Sequence, residues 1–143
     1  MVRIQHAVVA ERPPQEVFAF LTEPANFPKW QSGVLEIASA GKLGLGGTFT
    51  EVRTFLGQRA ESTLEVTEYL PNERFSLRVV SGPWLFDVFH RLVPIATGTR
   101  VEVTFEGETK GKLRLAGPML ERAVRGDLER NLSALKDALE TAS

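Results

Sequence analysis

Apolar residues change their spacing twice along this chain, and the changes divide it into three regions. From Arg3 to Ala10 the run RIQHAVVA alternates weakly and is rich in β-branched residues, which predicts a first strand. RPPQEVFAFLTEP follows. Pro13 and Pro14 suit a helix start, where a missing N–H costs little, and Val17, Phe18, Phe20 and Leu21 form an apolar helical face. Pro24 stops this helix, and Thr22 to Trp30 has room for a second short helical turn with Thr22 or Asn26 near a cap.

From Gln31 to about Thr109 the period becomes that of strands. GVLEIASA is the first, and GKLGLGG is a turn-rich break. TFTEVRTFLGQRAESTLEVTEYL predicts two strands joined at Leu56-Gly57-Gln58. RFSLRVV, WLFDVFHRLVP and TRVEVTFEGET complete the set, with PNE, SGP and IATG as turns. Short strands parted by tight turns imply an antiparallel meander. The third region is helical. Leu120, Val124, Leu128, Leu132, Leu135 and Leu139 recur at spacings of three and four, one apolar stripe on a long helix with a Glu121–Arg125 pair on its wet face. If helix also covers 112–116, Gly117-Pro118 should bend it.

The order is therefore strand, two short helices, about six strands and a long helix, in one domain spanning 1–143. About seven strands at ~4.8 Å spacing span on the order of 30 Å, whereas one helix is about 10 Å across. A single helix does not tile that width, so the sheet must wrap around it, leaving space between them.

Composition removes several function classes. Lys and Arg number 17 and Asp and Glu 18, a net charge of −1, so no electrostatic footprint for nucleic acid or an anionic membrane surface is present. There is no cysteine, which excludes disulfides and thiolate metal sites. His6 and His90 make no ligand spacing, and no metal or cofactor is expected. The N-terminus has no long apolar segment of the signal-peptide kind, and no apolar run reaches the ~20 residues of a spanning helix. A cytoplasmic protein without membrane insertion, monomeric or homodimeric, is the expectation.

Motif chemistry is sparse. GKLGLGG fails G-x-G-x-x-G because position 49 is Phe. Ser32, Ser62, Ser76, Ser81 and Ser133 lack a G-x-S-x-G context. The NLS triplet at Asn131 matches a glycosylation sequon but falls on the long helix. Strand parity says more, because successive side chains face opposite ways. Phe49 and Phe55 share a face with Glu51 and Arg53. If the phenylalanines point inward, a carboxylate and a guanidinium enter the interior and must pair. Exposed charges are the default, which favours the other outcome, a bulge or register that leaves both solvated. In WLFDVFHRLVP, Trp84, Phe86, Val88, His90 and Leu92 share the more aromatic, uncharged face and point inward, with Leu85 on the other. His90 is then either a core histidine bonded to a neighbour, the reading favoured, or an acid–base group. Leu64 and Val66 share a face with Ser62 and Glu68, Phe75 with Leu77 and Val79, and Val101 with Val103 and Phe105.

VFAFLTEPANFPKWQSGVLEI, TEYLPNERF, GTRVEVTFE and the terminal LSALKDALE, taken in order, resemble the polyketide cyclase/dehydrase group of the START-like, Bet v 1-like (SRPBCC) superfamily, over nearly the whole chain. The resemblance implies an α+β helix-grip fold: a seven-stranded antiparallel sheet wrapped around a long C-terminal helix, with two short helices after the first strand. It also implies an apolar cavity binding a small hydrophobic molecule such as a lipid or aromatic polyketide. A cyclase or dehydratase using the same cavity is the second reading. A co-chaperone or assembly protein with a collapsed cavity is the third. Ligand-binding candidates are Phe27, Trp30, Phe49, Glu51, Arg53, Leu64, Leu77, Trp84, Phe86, Val88, His90, Phe105 and Leu120, and acid–base candidates are His90, Glu51 and Arg53. In PANFPKWQSGV the resemblance puts Phe27 and Trp30 at the cavity rim. Trp30 is expected to pack under the helices, Phe27 to face an entrance, and GKLGLGG to supply any mobile lid.

Overall fold

The computed structural model describes residues 2–39, 41–55, 57–107 and 117–141. The expected continuation of the last strand through Glu108 and Thr109, the helix over 112–116 and Leu56 in its turn lie outside these residues. Seven strands, β1 (Val2–Ala10), β2 (Val34–Ser39), β3 (Thr48–Phe55), β4 (Gln58–Leu70), β5 (Arg74–Ser81), β6 (Phe86–Ile95) and β7 (Gly98–Gly107), form one antiparallel sheet. Its order is β1-β7-β6-β5-β4-β3-β2, so β2 to β7 meander and β1 closes beside the last strand. Helix α1 (Pro14–Leu21), a 3₁₀ turn (Pro24–Asn26) and helix α2 (Phe27–Trp30) follow β1, and α3 (Gly117–Thr141) ends the described chain. This is the helix-grip arrangement that the family resemblance implied. No helix of the described residues is long and apolar enough to cross a membrane.

Local chemistry accounts for the short helices. Pro13 is extended and Pro14 opens α1, which buries Val17, Phe18 and Leu21. The helix stops where the Thr22 N–H and hydroxyl both donate to the Phe18 carbonyl, at 3.0 and 2.8 Å. The Glu23 carboxylate accepts the Ala25 N–H and starts the 3₁₀ turn, and the Asn26 side chain donates to the Phe20 carbonyl. Two proline-led turns are thus fastened side by side, which fixes the direction in which Phe27 and Trp30 leave the backbone.

The far end of the grip is clasped. Arg12 donates to the Glu140 carbonyl at 2.7 Å, and the Glu11 N–H donates to the Glu140 carboxylate at 3.0 Å. Thr99 donates to the Arg12 carbonyl. Gly98 sits at φ 151°, and a Cβ there would lie 2.1 Å from the Ala10 carbonyl oxygen, so only glycine lets the β6–β7 turn approach the end of β1. On α3, Leu132, Leu135 and Leu139 are buried in the main core with Phe18, Leu21 and Phe75. Val124 joins a smaller cluster with Val2 and Ile4, and Leu120, Phe55 and Phe105 pack on it. The expected Glu121–Arg125 pair forms on the exposed face at 3.4 Å.

One strand-face expectation fails at a bulge. The register of β4 shifts between Val66 and Glu68, so Val66 and Tyr69, not Val66 and Glu68, share the inner face. Glu68 instead turns outward, where it accepts from Ser76 at 2.7 Å and pairs with Arg74. The β2–β3 pairing also shifts register, between Val34 and Glu36, and Leu35 there is exposed. WLFDVFHRLVP also starts pairing later than its pattern suggests: β6 begins at Phe86, and Trp84 and Leu85 belong to the connection.

Candidate functional site

Where the two core clusters meet, the packing is incomplete. A cavity of about 150 Å³ lies between the inner face of the sheet and the first half of α3. Phe27 and Trp30 of α2 border it, with Phe49, Glu51 and Arg53 from β3. Leu64 of β4 and Leu77 of β5 form its floor, with Phe86, Val88 and His90 of β6 and Phe105 of β7. Trp84 reaches it from the β5–β6 connection and Leu120 from α3. Every residue named from the sequence as a ligand contact therefore borders one space.

Arg53 and Glu51 correct the expectation that favoured solvated charges. Both lie on the inner face, because β3 keeps its alternation from Phe49 through Phe55. Glu51 is only 3 % exposed and Arg53 about a quarter. Arg53 Nε donates to Glu51 Oε1 at 3.0 Å, and Nη2 lies 3.5 Å from Oε2. The same Nη2 donates to Gln31 Oε1 at 2.5 Å. Partners two residues apart on one face, plus an amide from the end of α2, repay the desolvation that exposure would have avoided. Parity can place a charge on a face but carries no information about a partner arriving from another element.

His90 is buried and bonds through Nδ1 to the Phe75 carbonyl at 2.9 Å. A carbonyl only accepts, so Nδ1 carries the proton and Nε2 keeps its lone pair. Burial pushes the imidazole pKa down to about 4, against a smaller upward pull from the Phe75 carbonyl. At neutral pH the ring is uncharged, donating through Nδ1 and leaving Nε2 unprotonated. Trp30 packs edge-on to it, ring centroids 6.3 Å apart. Trp30 Nε1 is buried with no partner among the described residues.

Trp30 is packed in the core, but Phe27 does not face an entrance as expected. Phe27 is the more buried of the two, at 2 % against 6 %, and packs edge-on to Phe49. It is a wall of the cavity rather than its door. The exposed lining is elsewhere: Leu85 is 54 % exposed and adjoins Trp84, which packs edge-on to Phe55. GKLGLGG is no lid. Backbone bonds from Gly46 to the Val66 carbonyl and from Val66 to the Gly47 carbonyl hold it against β4, and none of its described residues borders the cavity.

Gln31, Phe55, Leu85, Val103, Val124, Asp127, Leu128 and Asn131 border the cavity without having been singled out. Several had a signal. Phe55 shares the β3 face with Phe49, Val103 shares the β7 face with Phe105, and 120, 124, 127, 128 and 131 fall on one side of a helix. Gln31 had none, since it lies in a turn. Among the described residues no group of three or more His, Asp or Glu side chains is arranged to hold a metal ion.

The family described as polyketide cyclase / dehydrase and lipid transport matches residues 1–140. The chain belongs to that family. No curated protein matches the sequence. Among solved structures, a START superfamily protein from Mycobacterium smegmatis superposes with a TM-score of 0.84 at 16 % identity, covering 99 % of both chains. A protein from Thermus thermophilus gives 0.83 at 18 % identity, covering 99 % of this chain and 98 % of its own. The Zhui aromatase/cyclase of a Streptomyces species gives 0.83 at 15 % identity, covering 96 % and 93 %. At such identities the likeness is one of fold. This member of the polyketide cyclase / dehydrase and lipid transport family has its sheet and long helix around a small, mostly apolar interior space.

Proposed function

We propose that this protein binds a small hydrophobic molecule in the cavity between the sheet and α3. The observation that carries the reading is a mostly apolar interior space in which a few polar side chains, among them the hydrogen-bonded set Gln31, Glu51 and Arg53, border the lining, the composition expected of a site that orients an apolar ligand. Its size bears on which ligand. A cavity of about 150 Å³ is comparable to an engineered one that admits benzene, and it is smaller than the roughly 300–1,000 Å³ typical of sites for larger organic ligands. One ring or a short chain fits as the cavity stands. A lipid tail or a polyketide requires α3 or the Trp84–Leu85 segment to move outward.

Binding is better supported than acid–base catalysis. With its pKa lowered to about 4, His90 is a weak base far from its midpoint at neutral pH, and Glu51 is engaged by Arg53. A collapsed interior is less well supported still, because the space is well above the ~10–15 Å³ that one water needs.

Trp30 and Trp84 are the chain's two tryptophans, and both border the cavity. Ligand entry is therefore expected to shift intrinsic fluorescence without a label. Titration with toluene is expected to give a saturable change, and Val88→Phe, which fills the space, is expected to abolish it in a variant that retains its thermal unfolding transition. A flat response, with no apolar molecule retained in native mass spectrometry, would refute the reading.

A further inference from the structure

We propose that Glu51 sets the charge specificity of this cavity, so that it takes uncharged ligands bearing a carbonyl or hydroxyl oxygen and rejects carboxylates. The inference rests on the ligand-binding reading above. Arg53 is the cation at the cavity wall among the described residues, and alone it would be a receptor for an anionic headgroup. It is not alone. Its Nε and Nη2 face the Glu51 carboxylate, which is more deeply buried than the guanidinium itself. The second carboxylate of the lining, Asp127, pairs with Arg130, a residue that does not border the cavity.

A ligand carboxylate entering this space would have to displace Glu51 from Arg53, or stay unpaired beside it. Either outcome leaves a buried negative charge without its partner. An alkylammonium meets the mirror problem, since Glu51 is already engaged. A neutral oxygen meets neither. The donors left over suit it: Gln31 accepts from Arg53 through Oε1, which directs its amide NH₂ elsewhere, and Arg53 Nη1 makes no hydrogen bond among the described residues. A carbonyl or hydroxyl oxygen accepts from such donors while the ring or chain behind it lies against Leu64, Leu77 and Val88. Glu51 thus acts through Arg53: it sets what the guanidinium is free to recognise.

The test uses two ligands of nearly one shape, benzamide and benzoate, with toluene as the apolar control, at pH 7 and read by calorimetry and tryptophan fluorescence. The intact protein is expected to bind benzamide at least tenfold more tightly than benzoate. Glu51→Gln, which keeps the side-chain shape and removes its charge, is expected to lower that ratio tenfold or more by admitting benzoate to Arg53. Adding Arg53→Gln to that variant is expected to remove the gain. If toluene binds but the intact protein takes benzoate as well as benzamide, the specificity inference fails and the binding reading stands. An unchanged ratio in a folded Glu51→Gln protein overturns the role of Glu51 in the same way. If none of the three compounds binds, both fail. The benzamide-to-benzoate ratio of the unmodified protein decides the matter even where a variant does not fold.

Discussion

Lowering the pH should unfold this protein partly through one side chain, His90. Its pKa is 6.5 when unperturbed and about 4 in the folded protein. A base whose folded pKa is depressed takes up its proton more readily when unfolded. Its effect on stability is therefore nil above about pH 7.5 and grows as pH falls through 6.5, levelling off below about 4. Linkage gives about 2 kcal/mol lost at pH 5 and about 3 kcal/mol at the plateau. The cause is desolvation, since the Phe75 carbonyl pulls the other way. The assay is urea unfolding of the intact protein and of His90→Gln at pH 7.5, 6.0 and 5.0. The variant has its own stability at pH 7.5, so only the change with pH is compared. The stability difference between the two proteins is expected to move by about 2 kcal/mol over that range, because the histidine alone adds the extra slope. The imidazole C–H signals of the two histidines, assigned by His6→Gln, give an independent reading. Parallel pH curves, or a His90 resonance titrating near its unperturbed value, would refute the account of a sealed, neutral ring.

Other perturbations test the frame around the cavity. Arg53→Leu leaves Glu51 buried without its cation and is expected to cost about 2–3 kcal/mol in urea unfolding, below the 3–5 kcal/mol of a fully buried pair because Arg53 is partly exposed. Adding Glu51→Gln should return most of that loss, and a double variant no more stable than Arg53→Leu would show that the pair is not what holds Glu51. Gly98→Ala drives a methyl into the Ala10 carbonyl at a positive φ, and a loss of more than about 2 kcal/mol is expected. An unchanged thermal midpoint would mean that the turn relaxes freely away from β1.

The frame was legible because it rests on period. The alternation of Phe49, Glu51, Arg53 and Phe55, and the three-and-four spacing from Leu120 to Leu139, survive into the fold since a whole face must go under together. What failed was local and involved a second element. The bulge at Thr67 exchanges Glu68 for Tyr69 on the inner face, and it arises from pairing with β5, which no single strand encodes. Trp84 and Leu85 look like strand yet leave the ladder, so both reach the cavity instead of taking opposite faces. Glu51 goes inward against its own solvation preference because Arg53 and Gln31 wait there. Phe27 and Trp30 both border the cavity, but that Phe27 is buried against Phe49 rather than set at an entrance depends on a ring from β3, which the PANFPKWQSGV segment does not encode.

The closing of the sheet by β1 against β7 also sets the order in which this protein must fold. Val2 pairs with Gly107 and Ala10 with Thr99, so β1 waits through most of the sequence for its one neighbouring strand among the described residues. Helix α3, which supplies one wall of the cavity, comes later still. Contacts so distant in sequence cost loop-closure entropy before they return anything, and they slow the search. During synthesis the meander from β2 to β6 emerges while β1 is still an unpaired, β-branched edge. Passage into the native state then awaits β7 and α3, which seat it.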